Sequence, residues 1–381
     1  MLDFFDLTLN DLETTIGALG KEKYRSRQLF KWVYNKGIHN FSEMTNITKD
    51  LRLIFGNMFD TGLPGVKDVL FSKDGSIKFA FLLKDGNIVE SIFMPEQKRD
   101  TLCISTQIGC RMGCKFCVTG KIGYVRNLTT SEIVGQLMAV KQYLESKSNP
   151  PDINKKASFP DYGQDRLSVK RGPREPTEKL ITNIVFMGMG EPVDNLDNVM
   201  HALDILKDPF GLDYSHRKIT LSSVGLIDGL HLIKPKVAGI AISLNAADDE
   251  KRSYLMPINR IYPIRTIINF TKDFKGTNRT RITFEYILIK DFNDSLEDAK
   301  QLSEILKGVR CKINLIPYNE SPYIEFKTPD PEKIEQFQAY LLSRNFTAII
   351  RNSRGQDIGG ACGQLGMRYL QDNAEGNKVK N

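Results

Sequence analysis

Residues 101–120 read TLCISTQIGCRMGCKFCVTG, and three of the chain's six cysteines fall within eight of these positions, at Cys110, Cys114 and Cys117. A β-rich run, TLCISTQ, leads into them, and a helix-forming run begins near Thr130–Ser131. The cysteines therefore occupy a strand-to-helix loop, where α/β folds carry their chemistry. Their spacing is C-x3-C-x2-C. Structural zinc takes four ligands, commonly in paired C-x2-C or Cys/His units. The remaining cysteines here are single, and none of the four histidines is spaced as a partner. Three thiolates suit a cubane iron–sulfur cluster whose fourth iron stays open for a substrate. A zinc knuckle is the competing reading of the same loop.

Outward from this loop, strand-like and helix-like segments alternate to the end of the chain. TNIVFMGMG, KITLSSVG, GIAISLN, RITFEYILI, CKINLIPY and FTAIIRNS read as strands, and 130–145, 195–207, 263–275, 295–307 and 331–344 as helices. Repeated βα units predict an α/β fold with a parallel sheet curled into a partial (β/α) barrel, with its site at the C-terminal strand ends. Before the loop, residues 61–98 hold short β-rich runs separated twice by Lys-Asp-Gly, a hairpin signal, and so predict a small antiparallel segment. Residues 1–60 carry apolar residues at helical spacing, with Gly20 and Gly37 as stops. The expected organisation is a helical accessory domain (1–60), a β-hairpin region (61–98), a barrel (99–352) and a C-terminal segment (353–381). Residues 146–178 are rich in Pro, Ser and charge and are expected to form a flexible surface insertion.

Composition bounds the function. Of 381 residues 41% are hydrophobic, and no apolar run approaches the roughly 18 residues of a membrane span. The first residues, MLDFFDLTLNDLE, are acidic and lack a secretory pattern, so a cytoplasmic location is expected, with reduced thiols and clustered cysteines used for metal or catalysis. Net charge is +7 and the pI is near 8.9, which fits a polyanionic partner. Lys21, Lys23, Arg25 and Arg27, between the first two helices, form either a solvated loop or an RNA-contacting patch.

The cysteine loop, with the aromatic Phe116 before its third cysteine, resembles the signature of the radical S-adenosylmethionine (radical SAM) superfamily. FMGMGEP resembles that superfamily's Gly-Glu motif, with Gly190 and Glu191 at SAM. The resemblance implies a 4Fe–4S cluster on Cys110, Cys114 and Cys117, whose open iron binds SAM for cleavage to a 5′-deoxyadenosyl radical. CISTQIGCRMGCKFC, RNLTTSEIVGQ, KITLSSVG, IAISLNAADDE, PINRIYPI, CKINLIPYN and DIGGACGQL occur in family order and extend the likeness to dual-specificity RNA methyltransferases that methylate adenine C-2 in 23S rRNA and tRNA.

That resemblance implies roles residue by residue. Cys362 accepts a methyl group from a first SAM. A second SAM generates a radical on that methyl, which adds to adenine C-2. Cys103 then attacks the Cys362 sulfur, releases the RNA and leaves a disulfide. Glu90 matches the proton acceptor. Gly190, Glu191, Ser222, Ser243, Leu244, Asn245 and Asn319 match SAM-contacting positions. An electron donor such as flavodoxin, 23S rRNA and tRNA are the implied partners, and a monomer the implied state. Three departures stand out: Asn245 replaces a histidine, 146–178 is longer than usual, and GGACGQL replaces DAACGQL. Cys311 reads as core. The alternatives are an adenine C-8 methyltransferase of the same superfamily and an RNA-binding protein whose iron–sulfur cluster takes no part in methyl transfer.

Overall fold

A computed structural model describes residues 1–148, 179–237, 239–272 and 281–371. Ten strands form one sheet, and their order in space follows their order in the chain. They are β1 (Gly65–Phe71), β2 (Ile77–Leu82), β3 (Ile88–Pro95), β4 (Asp100–Cys103), β5 (Asn183–Phe186), β6 (Ile219–Ser223), β7 (Gly239–Ser243), β8 (Arg281–Leu288), β9 (Cys311–Pro317) and β10 (Thr347–Ile350). From β1 to β4 each pairing is antiparallel; from β4 to β10 each is parallel. Parallel neighbours need long crossovers. Helices Thr130–Ser148, Leu196–Lys207, Ile227–Ile233, Ile264–Lys272, Leu296–Ile305 and Pro331–Ser343 lie in those connections. Apolar stretches such as Ile240–Ala241–Ile242 are buried, as strands covered by helices require. The fold is the expected α/β partial barrel.

Two expectations need refinement. The antiparallel strands are continuous with the barrel sheet, because β3 pairs with β4 in a register that sets Ile92 beside Cys103. The run TLCISTQ is two strands rather than one. β4 stops at Cys103, and Gln107–Gly109 pairs instead with Tyr124–Asn127 to frame the cysteine loop. Side chains cause the break. The Ser105 hydroxyl donates to the Glu90 carbonyl at 2.6 Å, while the Ser105 amide donates to Gln136 Oε1 at 2.9 Å. The chain can leave the ladder there without stranding backbone groups.

The first 60 residues form three helices, Leu9–Ala18, Tyr24–Phe30 and Lys49–Met58. Thr8 and Asp11 make a capping box at the first. Phe4, Phe30, Tyr34 and Phe59 pack edge-to-face or tilted, and these rings share one core with the barrel. Asp6 caps the helix Thr130–Ser148 by accepting the Ser131 amide at 2.7 Å. The insertion expected at 146–178 falls, from residue 149 onward, outside the described residues, as does the tail beyond 371. Among the described residues no helix is long and apolar enough to cross a membrane.

Candidate active site

The candidate residues gather at the C-terminal ends of β4 to β10, where a parallel sheet leaves its loops free to vary. The cysteine loop follows β4. Cys110, Cys114 and Cys117 border one apolar cluster with Met112, Phe116, Leu255, Met256 and Tyr318. Burial pushes the Cys110 thiol up to about 12 and raises Cys114 and Cys117 as well. Cys114 is raised further by Cys117 and Cys110 and relieved only by Arg252. Three thiols held together in apolar surroundings are poor anions alone; a cationic centre shared between them would stabilise all three thiolates. Among the described residues no three His, Cys, Asp or Glu side chains stand so that they could hold a metal ion. By its chemistry the donor set, three cysteines bordering one apolar cluster, fits a three-cysteine iron–sulfur cluster.

The glycine turn after β5 lies against this loop. Thr106 and Gln107 donate their amides to the Met189 carbonyl at 2.8 and 3.2 Å. Gly190 has φ +96°, and a Cβ there would stand 2.5 Å from Gln107 Cβ, so no larger residue fits. Glu191 is buried, and its carboxylate accepts the amides of Val193 (3.1 Å) and Val224 (2.9 Å). Burial nevertheless pushes it up to about 7. From β6, the Ser222 hydroxyl donates to the Phe186 carbonyl at 3.0 Å. At the end of β7, Ser243 and Leu244 present carbonyls to Arg252, 3.2 and 3.0 Å away. Asn245, at φ +59°, is buried; its side chain accepts the Ile287 amide at 2.9 Å and donates to Met256 Sδ at 3.2 Å. This asparagine thus ties the end of β7 to β8 and to Met256.

The segment after β10 returns Cys362 to the same place. Val118, beside Cys117, donates its amide to the Gly363 carbonyl at 2.8 Å, and Thr119 Oγ1 donates to the Leu365 carbonyl at 2.7 Å. Asn319, after β9, donates to the Cys362 carbonyl at 3.1 Å and to Ser353 Oγ at 2.9 Å, and accepts from Gln356 at 2.8 Å. Water reaches Cys362, yet the surrounding protein still removes enough solvent to raise its thiol. Cys103 is buried at the end of β4, raised first by burial and then by the charge of Cys362. The fold brings together the segments that carry the two cysteines, because Gly360 packs on Ile92, the strand partner of Cys103. Replacing DA by Gly359–Gly360 before them has a local reason. A Cβ on Gly360 would stand 2.4 Å from Ile92 Cδ1.

Glu90 is far from an ordinary surface strand residue. It is 1% exposed, lies 3.4 Å from Lys78 Nζ, and accepts the amides of Gly366 (2.7 Å) and Arg368 (3.3 Å). Cys311, half-buried at the start of β9 and packed against the core, matches its expected role.

Three charged groups escaped the sequence reading. Arg252 is fully buried and gathers five acceptors: the carbonyls of Val224, Ser243, Leu244 and Tyr262, and Asn259 Oδ1. Glu285 on β8 accepts from Asn314 opposite on β9 at 2.8 Å and disfavours the Cys362 thiolate. Lys78 lies in β2, where Ile77 to Phe81 are all buried. A lysine inside the apolar run SIKFAF was the available signal for it. Arg252, in the charged stretch DDEKRSY, offered none.

Comparison with known proteins places the chain as a whole. The ribosomal RNA large subunit methyltransferase N-terminal domain family matches residues 2–58. A dual-specificity RNA methyltransferase RlmN from Geotalea uraniireducens is 42% identical over 96% of this chain and 96% of its own length. One called RlmN 2, from Myxococcus xanthus, is 42% identical over 97% and 91%. The crystal structure of a radical SAM methyltransferase from Sphaerobacter thermophilus superposes with a TM-score of 0.83 at 35% identity, over 96% of this chain and 99% of that one. With such identity sustained along nearly the whole of both chains, this chain belongs to the RlmN family of dual-specificity RNA methyltransferases.

Proposed function

We propose that this protein is a radical SAM enzyme that methylates C-2 of a specific adenine in 23S rRNA and of the adenine next to the anticodon in tRNA. The observation that carries this reading is that the Cys362 segment packs on Ile92, the strand partner of Cys103, and takes a hydrogen bond from Val118 of the three-cysteine loop. Cys110, Cys114 and Cys117 would hold the 4Fe–4S cluster, and Gly190, Glu191, Ser222, Ser243, Leu244, Asn245 and Asn319 would line the SAM site. When bound, cluster and SAM supply a radical able to take hydrogen from an unactivated C–H bond, which suits adenine C-2 because that carbon is neither acidic nor nucleophilic.

The chain's own residues supply position and sulfur chemistry. The Cys362 thiolate takes the methyl carbon by displacement, since a thiolate is the strongest nucleophile a protein offers for this. After the activated methyl carbon has bonded to adenine, the adduct gives up one electron, which the cluster would accept when bound, and Glu90 accepts the proton from C-2. The Cys103 thiolate then attacks Cys362 sulfur and forms a disulfide; the S–C bond to the RNA breaks, and the carbon leaves with the bonding pair and takes a proton to become the methyl group. Burial raises the Cys103 thiol, and a charge on Cys362 raises it further. Two SAM molecules are consumed per turnover.

Residues 1–60 are assigned as an RNA-contacting domain, 61–98 as the β region joining it to the barrel, 99–352 as the barrel and 353–381 as the methyl-accepting segment. A cytoplasmic monomer drawing electrons from a flavodoxin-like donor completes the reading. The target adenine must be unstacked to reach the site.

A denaturing gel of proteins purified from cells, with and without ribonuclease, tests the cysteine pair. Cys103→Ala is expected to accumulate a ribonuclease-sensitive covalent RNA adduct, and Cys362→Ala and the double variant to show none. Normal turnover by Cys103→Ala without an adduct would reduce that residue to strand packing.

A further inference from the structure

The segment that carries Cys362 is tied to the antiparallel strands by side chains, not by a shared ladder. Asp74, in the β1–β2 turn, accepts the Gly355 amide at 2.8 Å, and Asp357 accepts from the Ser72 hydroxyl and the Lys73 amide at 2.5 and 3.0 Å. Nearer the cysteine, one ion pair spans both flanks. Lys78 Nζ donates to the Gly359 carbonyl at 3.3 Å and lies 3.4 Å from Glu90, whose carboxylate takes the amides of Gly366 and Arg368.

Both partners are buried, with side chains 6% and 1% exposed. Desolvating two charges offsets most of their attraction, so such a pair adds little stability, and its value lies in the geometry it imposes. Here that geometry is needed. Gly355, Gly359, Gly363 and Gly366 all have positive φ, so the loop's backbone has little conformational preference of its own. On one side of the loop lies a cavity of about 400 Å3, bordered by Lys78, Glu90, Gln356, Gly359, Gln364 and Met367, so packing does not hold the loop on the side where the ion pair stands.

We propose that Lys78 and Glu90 are positioning residues, a buried ion pair that clamps both sides of the Cys362 loop and sets its sulfur in line to receive a methyl group. This rests on the reading of Cys362 as methyl acceptor. In the step concerned, the methyl carbon leaves the SAM sulfonium and bonds to Cys362 sulfur, the thiol proton passes to solvent, and S-adenosylhomocysteine departs. RNA takes no part. The clamp therefore acts earlier than any proton removal by Glu90 at adenine, and the two roles separate experimentally.

The test uses full-length wild type, Lys78→Met, Lys78→Arg and the double variant Lys78→Met/Glu90→Gln, produced without iron and then loaded with cluster. The double variant leaves no unpaired buried charge, so it decides the matter if Lys78→Met alone does not fold. Two quantities are read: methyl incorporation into the Cys362 peptide with SAM and reductant but no RNA, and hydrogen exchange across the chain. The expected result is slower methylation of Lys78→Met and the double variant, by about tenfold to a hundredfold, as displacement of a reacting atom by roughly 1 Å would give. Exchange should rise in peptides covering 359–371 and stay at wild-type values elsewhere, and Lys78→Arg should restore both. A folded double variant that methylates Cys362 at the wild-type rate, or that leaves exchange at 359–371 unchanged, overturns the proposal. If the wild type itself takes no methyl group on Cys362, the acceptor reading fails, while the exchange measurement still decides the clamp.

Discussion

At the scale of single residues, Arg252 carries more of the site's order than any cysteine. Its guanidinium is buried without a carboxylate partner and satisfied by five oxygens from the ends of β6 and β7 and from the loop 259–262. Burial lowers it only to about 10, so it remains a cation beside Cys114. The planar fork matters as much as the charge, because several carbonyls are held at once. Arg252→Met leaves those acceptors buried and unpaired, at roughly 1–3 kcal/mol for each that water cannot reach. A total loss of about 3–5 kcal/mol is expected by urea unfolding, given partial relaxation. SAM affinity should fall with it, because Ser243 and Leu244 are two of the tethered residues. A loss under about 1 kcal/mol would mean that these carbonyls find other donors and that Arg252 is not the hub of the site.

At the scale of elements, the β2–β3 hairpin acts as a strut between the accessory helices and the barrel. Lys84 at its tip reaches Asp3 and Asp60, at 3.1 and 2.7 Å, and Asp85 reaches Arg126, which in turn pairs with Glu132 on the helix Thr130–Ser148. The Arg126 hydrogen bond leads in holding Asp85 down, from 3.8 to about 2. A depressed carboxylate contributes stability above its unfolded value and loses it as pH falls through the folded one. The Asp85 contribution is thus intact above about pH 4 and is lost as pH falls through about 2, and solvent screening holds it under about 1 kcal/mol. Acid titration of stability should show a shallower slope in that window for Asp85→Asn than for wild type; equal slopes would make the contact idle. Elements of this kind also mark what the sequence could reveal. Strands of the barrel were legible because burial on both faces writes an apolar run, and the Asp-Gly turns because they favour φ above zero. The cysteine loop was legible because its ligands are neighbours in sequence. Arg252 and Glu285 were not, because each draws its meaning from partners brought near only by folding, and Lys78 showed only as a charge inside an apolar run, its partners hidden for the same reason. The break in TLCISTQ depends likewise on Gln136, which the chain reaches a helix later.

At the scale of the whole molecule, the accessory helices and the barrel share one core, so the RNA-contacting role proposed for 1–60 cannot be tested by cutting the region away. Removing Phe4, Phe30 and Tyr34 would uncover the face of the barrel they pack on. The informative change is in charge. Lys23 and Arg27 lie 3.9 and 3.5 Å from Glu13, with side chains 76% and 51% exposed. Pairs so open to water are worth little and surrender their cations readily to a phosphate. With exposed Lys21 they form the part of the basic patch that substitution can reach without disturbing the core. Each phosphate contact releases counterions on binding, so log affinity falls with log salt by roughly 0.7–0.9 per contact. Lys21→Gln/Lys23→Gln/Arg27→Gln should therefore flatten that slope by about 2 and weaken RNA binding most at low salt. Methylation of Cys362 in the absence of RNA should stay at the wild-type rate, since none of the three residues approaches the cysteine loop. An unchanged salt slope in the triple variant would move the RNA platform off this face and leave the net charge of +7 to act through another surface of the barrel.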